Sequence, residues 1–398
     1  MMRVSLLTGG MDPPYVVGLL SGIIGNPVRI EVIGNDEMKD QAVMRSQQVV
    51  YYNLRGNQDD HSTVVQRIVR FLRYYVKLVR YASSTDSEIF HILWFNRFTY
   101  FDRTILNLYY KLLGKNLIYT AHNVNAGERD GTDNLLNRLS LRYLYGVVDH
   151  IIVHTDKMKE QLIREFGVSE RRITVMVFGI NNTSPRSRAT RFDARKILGV
   201  GNHERLVLFF GNIAHYKGLD ILVKALARLK NDGEAPKLVI AGKVKDAKSI
   251  PHWKEIEKTI EEHNLREYII KKIEFIPDQD VELYYKAADV SVLPYRHVFQ
   301  SGVLFLSYSF GLPVIAADVG SLKNDVVEGK TGFVCRAEDA EHLADTITQY
   351  FRSGLYKNLN VSREEISRYA NEKYSWRQGG ATTYAVYSSL QQLKRSHD

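Results

Sequence analysis

Short β-branched runs alternate with longer amphipathic stretches along most of the chain. The runs RVSLL (3–7), RIEVIG (29–34), IFHILW (89–94), NLIYTAHN (116–123) and HIIVHT (150–155) predict one set of strands. RLVLFFG (205–211), KLVIAG (237–242), IEFIP (273–277), VSVLP (290–294), PVIAAD (313–318) and GFVC (332–335) predict a second. Helical spacing fills most of the intervals. Apolar strands joined by crossover helices mean parallel α/β sheets covered on both faces. The pattern runs twice, and the polar, turn-rich stretch NNTSPRSRATRFDARK (181–196) separates the two runs. The last 25 or so residues read as a further helix, from about Trp376 to Leu393.

Ligands of an open parallel sheet sit beyond the carboxyl ends of its strands. Chemistry is therefore sought in the loops TGGMDPP, TAHNVNAGERD, FGNIAHYKG, IPDQD and PYRHVFQSGV. In the third of these, Lys217 precedes Gly218 and a helix with apolar positions Leu219, Leu222, Val223, Leu226 and Leu229. A cation beside the free N–H groups of a helix start suits a diphosphate. Residues 298–316, VFQSGVLFLSYSFGLPVIA, hold a second such corner. Ser301-Gly302 opens a helix there, Gly302 lets backbone approach a ligand closely, and Gly311 ends the helix. Arg296, just upstream, can fork onto a phosphate. No carboxylate lies in the stretch.

Composition narrows the class. A chain of 398 residues exceeds one ordinary core, and 44% hydrophobic with 25% charged residues is globular. Cys335 is the one cysteine. It excludes an internal disulfide and a Cys-x-x-Cys zinc site, and a reducing cytoplasm fits. No apolar run approaches the roughly 18 residues of a membrane span. The start, MMRVSLLTGG, reads as a first strand rather than a signal peptide. Net charge is +9, and residues 61–115 carry nine Lys/Arg against three Asp/Glu. Such an excess suits a membrane surface, a lipid diphosphate or nucleic acid. Within it, Val65, Ile68, Val69, Leu72, Tyr75, Val76 and Val79 fall at helical spacing, and Arg67, Arg70, Arg73, Lys77 and Arg80 line another face. The expectation is a helix packed on the first sheet through its apolar positions, with residues 64–80 offering a basic face to water and to anionic lipid.

The two phosphate-type corners taken together resemble the donor-binding half of a GT-B-fold glycosyltransferase. The match is to family 4 of the retaining enzymes that use nucleotide sugars, the group 1 type. It extends through FIPDQDVELYYKAADVSVLP, VVEGKTGFV and YSWRQGGATTYAVYSSL, and more loosely through TGG, YTAHNV and VDHIIVHTDKMKEQLIREFGV. The resemblance implies two facing Rossmann-like domains with an interdomain cleft. Residues 1–184 would bind the acceptor and 185–370 the nucleotide sugar, and the helix in 371–398 would cross back to the first domain.

By the same resemblance Lys217 contacts the donor diphosphate, and Asn212 stands where many relatives carry an arginine. The backbone of Ser301, Gly302 and Val303 cradles the phosphates. The loop after Phe275, ending at Pro277, packs on the base. Gly10 closes on the donor from the other domain, and His122 lies beside the sugar and diphosphate. Glu128 or Asp130 orients the acceptor or takes its proton. No metal and no cofactor beyond the nucleotide sugar is implied. One departure stands out: the two glutamates usual in relatives are Val298 and Leu306 here. Ser307, Tyr308 and Ser309 are the nearby candidates for gripping the ribose instead.

The implied activity is transfer of a hexosyl group from a UDP- or GDP-linked sugar to a saccharide or lipid-linked saccharide, with retention. It would serve cell-surface polysaccharide or glycolipid synthesis, in the cytoplasm with peripheral contact at the inner membrane face, and with no nucleic acid as partner. The alternatives are a nucleotide-sugar epimerase on the same fold, or a non-catalytic protein binding nucleotide sugar, membrane or nucleic acid.

Overall fold

The computed structural model describes residues 1–57, 63–129, 131–180, 182 and 184–395. The chain divides into two units, Met1–Gly179 with the segment from Ser375 onward, and Ile180–Tyr374. Each is a parallel sheet with helices on both faces.

The first unit holds seven strands: β1 (Met2–Leu7), β2 (Val28–Gly34), β3 (Val49–Asn53), β4 (Ile89–Ile92), β5 (Asn116–Thr120), β6 (His150–Val153) and β7 (Ile173–Val175). Their order across the sheet is β3-β2-β1-β4-β5-β6-β7. The second unit holds six: β8 (Leu206–Phe210), β9 (Lys237–Ala241), β10 (Ile269–Lys272), β11 (Val290–Leu293), β12 (Val314–Ala317) and β13 (Gly332–Cys335). Their order is β10-β9-β8-β11-β12-β13. The direction of strand addition reverses between β1 and β4 and again between β8 and β11. These are the switch points at which an open α/β sheet leaves room for a ligand. Central strands β8 and β12 are apolar on both faces because helices cover both, which is why they read as unbroken apolar runs, while β4 and β11 each bury one polar residue, His91 and Ser291. Fully buried Asp289 accepts from the N–H of Leu206 (2.8 Å) and pairs with buried Arg195 (2.9 Å). It thereby ties the starts of β8 and β11 together.

Three strand expectations are corrected. β3 and β7 carry no counterpart in the sequence reading, and the strand expected at 273–277 lies at 269–272. All three are edge strands, short and half-solvated, so their patterns are weak. Residues 273–277 lead instead into the helix Asp278–Ala287. Pro277, which has no N–H to give a sheet, takes the position before its first turn.

The basic helix spans Val64–Ser84 and starts on a capping box, Thr63 Oγ1 accepting from the N–H of Gln66 (3.3 Å) and Gln66 Oε1 from that of Thr63 (2.9 Å). Its orientation differs from the expectation. The side chains it buries are Tyr74, Leu78, Tyr81 and Ala82, whereas Val65, Ile68, Val69, Leu72, Val76 and Val79 face solvent. Two apolar stripes exist on this helix, and the tyrosine-rich one is turned to the sheet.

The helix Trp376–Arg395 packs on the helix Pro13–Ile23 of the first unit. Glycines permit the contact: a Cβ on Gly22 would lie 1.9 Å from the Trp376 carbonyl oxygen, and one on Gly380 would lie 2.0 Å from the Gly22 carbonyl carbon. Farther along, the Tyr387 hydroxyl meets Nδ1 of buried His91 at 2.6 Å.

Candidate active site

In the second unit the loop after β8 folds directly onto the end of β11. Residues 215–217 make one tight turn and Gly218 (φ 67°) starts the helix Leu219–Asn231. A Cβ on Gly218 would lie 1.9 Å from the Pro294 carbonyl oxygen, so only glycine allows the approach. Lys217 is thereby set against Tyr295. Its Nζ donates to the Tyr295 hydroxyl (2.7 Å) and stands 4.2 Å from the ring centre. The same hydroxyl accepts from Ser301 Oγ at 3.3 Å. Ser301 in turn precedes the helix Gly302–Ser309, whose first N–H groups belong to Gly302 and Val303. Gly302 is exposed, and nothing stands within 4 Å of where its Cβ would be. A cation, two hydroxyls and a helix start thus meet across the β8/β11 switch point.

The other expected donor residues are placed around this corner. Asn212 is exposed in the loop after β8. Pro277 is half-buried in the loop past edge strand β10, at the start of the helix Asp278–Ala287. Arg296 departs from the open phosphate fork expected of it. Its Nη1 and Nη2 hold both carboxylate oxygens of Asp220 (2.8 and 2.7 Å), Nη1 also donates to the His215 carbonyl (2.9 Å), and Nε meets Glu338 at 3.3 Å. It braces the β11 loop to the β8 loop. The Asp220 carboxylate holds its proton affinity up, and four of its five N–H donors are turned to the protein.

The proposed substitutes for the missing glutamates are also corrected. Ser307 Oγ donates to the Val303 carbonyl (2.8 Å) and Ser309 Oγ to that of Leu306 (2.8 Å). The Tyr308 hydroxyl is buried against Thr331 (2.8 Å) and the Asp325 carbonyl (3.0 Å). Leu306 itself is part of the apolar core that contains Leu208, Tyr285 and Leu312. All four positions point inward because a short helix packed between a sheet and its neighbours has little free face.

In the first unit the ends of adjacent strands assemble a second cluster. Trp94 follows β4, His122 follows β5, His154 follows β6 and Phe178 follows β7, while Tyr15 comes from the helix after β1. His122 lies between the faces and edges of these rings: Tyr15 at 4.8 Å and His154 at 5.2 Å between ring centres. Its Nε2 is sealed from solvent and has no hydrogen-bond partner among the described residues. Burial, reinforced by His154 and His91, pushes the His122 pKa well below the ordinary imidazole value, and a backbone bond to Leu93 opposes this weakly. The ring is therefore neutral. With its other nitrogen given to Leu93, Nε2 is an acceptor.

Gly10 (φ 72°) lies in the loop after β1, and a Cβ there would sit 2.2 Å from Arg55 Nη1. Arg55 holds that loop by donating to the Gly9 carbonyl and to Asn96 Oδ1, the latter at 3.1 Å. Glu128 is exposed on the helical turn Ala126–Arg129. Asp130 lies outside the described residues. Sequence reasoning missed Tyr295, Trp94, His154, Tyr15 and Arg55. Two of these had a signal: Tyr295 adjoins Arg296 in PYR, and His154 ends a strand as His122 does.

Two family models match the chain. Glycosyl transferases group 1 matches residues 190–373, and Glycosyltransferase Family 4 matches residues 45–183. The D-inositol 3-phosphate glycosyltransferase of Corynebacterium aurimucosum is 25% identical over 293 residues, 70% of this chain and 67% of its own. That of Nocardia farcinica is 28% identical over 244 residues, 58% of this chain and 52% of its own. The chain thus matches between about half and two thirds of the length of these curated relatives. Among solved structures, the sucrose-phosphate synthase of Thermosynechococcus elongatus superposes with a TM-score of 0.75 at 16% identity, covering 99% of this chain and 100% of that one. Anabaena HepE in complex with UDP and glucose gives 0.73 at 17% identity, covering 98% and 100%. With both of its sheets and most of its length accounted for in this way, the chain belongs to the group 1, family 4 glycosyltransferases of GT-B fold.

Proposed function

We propose that the protein transfers a hexosyl group from a UDP- or GDP-linked sugar to a hydroxyl of a saccharide or lipid-linked saccharide, with the anomeric configuration retained. Such a reaction serves the building of a cell-surface polysaccharide or glycolipid. The observation that carries the reading is the Lys217–Tyr295–Ser301 chain beside the first N–H groups of the Gly302–Ser309 helix. Two linked phosphates match a cation and main-chain donors spaced in this way.

In the reaction the bond from the anomeric carbon to the terminal phosphate oxygen breaks, and the nucleoside diphosphate leaves with both electrons. The acceptor oxygen bonds to the same carbon and gives up its proton. Lys217 and the amides of Gly302 and Val303 offset the charge that grows on the leaving diphosphate, so their stabilisation is greatest in the transition state. Neutral His122 is assigned a place beside the sugar, and its sealed Nε2 meets a substrate hydroxyl only once the surrounding rings part to admit it. Glu128 or Asp130 is assigned to orient the acceptor or take its proton. The solved neighbour that holds UDP and glucose supports a UDP-linked donor, and the relatives that act on an inositol phosphate support a polar, hydroxyl-rich acceptor.

The test is a thermal-shift screen of the full chain with UDP, GDP, ADP and their sugars. A ligand at a hundred times its dissociation constant stabilises the native state by about 2.7 kcal/mol, which raises the melting temperature measurably. One of UDP or GDP should do so, and Lys217→Ala should remove the shift. A folded Lys217→Ala protein with an unchanged shift, or an epimerised sugar formed from the donor alone, would displace the reading.

A further inference from the structure

Three helical segments of the first unit stand side by side. They are Val64–Ser84, the continuous stretch 99–112 with a π-turn at Asp102–Leu106, and Leu135–Val147. The first is joined to the second by Tyr75, which donates to Asp102 Oδ1 (2.7 Å), and by Phe71 edge-on to Phe98 (4.9 Å). The second is joined to the third by Arg103, whose Nη1 reaches Asn137 Oδ1 (2.9 Å) and Ser140 Oγ (3.1 Å).

Each segment turns an apolar row outward. Val65, Ile68, Leu72 and Val76 are spaced along one face of the first. Ile105, Leu108 and Leu112 recur every three or four residues on the second. Leu135 and Leu136 stand four and three residues before Leu139 on the third. Exposure reaches 68% at Val65, 78% at Leu112 and 74% at Leu135. Single exposed leucines are ordinary, but exposed apolar rows on three neighbouring helical segments are not.

The charge around these rows is mostly of one sign. Residues 64–84, 97–112 and 135–147 contain ten Lys/Arg and one acid, Asp102. Two of the ten are paired with carboxylates just outside these segments, Lys111 with Asp149 (2.8 Å) and Arg138 with Asp133 (2.6 Å). Asp102 is buried and bonded to Tyr75 and to the Asn96 N–H. On the first helix the exposed Arg73, Lys77 and Arg80 flank the apolar row. A second copy of the chain laid on this face would oppose like charges in a two-fold contact. A surface that is fluid, apolar inside and anionic outside matches both features at once.

We propose that these three helices dock the protein on an anionic lipid bilayer. The apolar side chains enter the boundary between headgroups and acyl chains, and the arginines and lysines meet the lipid phosphates. Among the described residues no helix is long and apolar enough to cross a membrane, so the contact is to one leaflet. The inference does not depend on the transfer reaction.

Co-sedimentation of the full chain tests it, with vesicles of phosphatidylcholine alone and vesicles with phosphatidylglycerol mixed in. Binding is expected to the second kind and to weaken with salt. Leu72→Gln, Leu112→Gln and Leu135→Gln together should weaken it at least about tenfold. Arg73→Gln, Lys77→Gln and Arg80→Gln together should weaken it on the order of a hundredfold. All six side chains are exposed, so both variants should keep the wild-type melting temperature. Binding that survives the leucine triple, equal binding to both vesicle types, or light scattering that shows a dimer abolished by the leucine triple would each overturn the proposal.

Discussion

The imidazole of His122 lies flat on the indole of Trp94, with ring centres 4.1 Å apart and planes 5° from parallel. The two residues follow neighbouring strands β5 and β4, so the sheet itself sets the stack. The indole closes one face of the imidazole to water. Tyr15 and His154 close much of the rest. A histidine held this way offers a hydrogen-bond acceptor whose charge does not follow pH.

The first prediction concerns that acceptor. His122→Ala should lower kcat by about 10²–10³, the range for a polar group that acts on the reacting centre, and leave nucleotide affinity unchanged. In the wild type, no limb of the pH–rate profile between about pH 5 and 8 should belong to His122. Trp94→Leu hydrates the ring, raises its pKa toward the ordinary value and should introduce an acid limb. NMR titration of the His122 ring proton in both proteins checks the assignment. A wild-type midpoint near the ordinary value would refute it.

Acid stability offers a second prediction. His91 is fully buried between the Tyr387 hydroxyl (2.6 Å) and Thr120 Oγ1 (2.7 Å). Burial lowers its pKa to about 3, with a smaller contribution from His150. The folded value lies below the unfolded one near 6.5, so the stability it contributes is complete above about pH 6.5 and is lost as pH falls toward 3. The loss should reach about 2 kcal/mol by pH 5. His91→Gln should cost stability at pH 8 and less at pH 5, giving a flatter dependence of Tm on pH than the wild type. Parallel curves for the two proteins would contradict this.

A third prediction separates two glycines of the donor corner. Gly302 has open space where a Cβ would stand, whereas a Cβ on Gly218 would meet the Pro294 carbonyl oxygen at 1.9 Å in a left-handed backbone of φ 67°. Gly302→Ala should change folding stability by no more than about 1 kcal/mol, since alanine favours helix. It should still weaken UDP or GDP binding at least about tenfold, because the added methyl stands where a phosphate must touch the amides. Gly218→Ala should cost about 2 kcal/mol or more of stability through the αL conformation and the clash. Urea unfolding and calorimetric titration read the two effects independently. Wild-type nucleotide affinity in Gly302→Ala would mean that the helix start is not in contact with the ligand.

Much of the architecture was written along the chain. Central strands such as LVLFF and VIAA are apolar on both faces because helices cover both, and that requirement leaves an unbroken apolar run that can be read directly. Gly218 was legible for a related reason: a corner that presses backbone onto the Pro294 carbonyl demands glycine at a fixed place in the sequence. Edge strands β3, β7 and β10 were not legible, since a half-solvated strand of three to five residues imposes little on its composition.

What the sequence by itself determined, then, is which residues share a face and where the chain must turn. Only the tertiary structure decided what each face meets. Arg296 reads as a free fork until folding brings Asp220 to it, and Ser307 and Ser309 read as polar candidates until their hydroxyls return to their own helix. The 64–84 helix carries two apolar rows of similar strength, and periodicity alone cannot say which is buried. Packing against β-sheet and neighbouring helix chose the row with Tyr74, Leu78 and Tyr81, whose hydroxyls and rings find partners there, and turned the other toward solvent. Periodicity is a property of one segment, whereas burial is a property of two surfaces that meet.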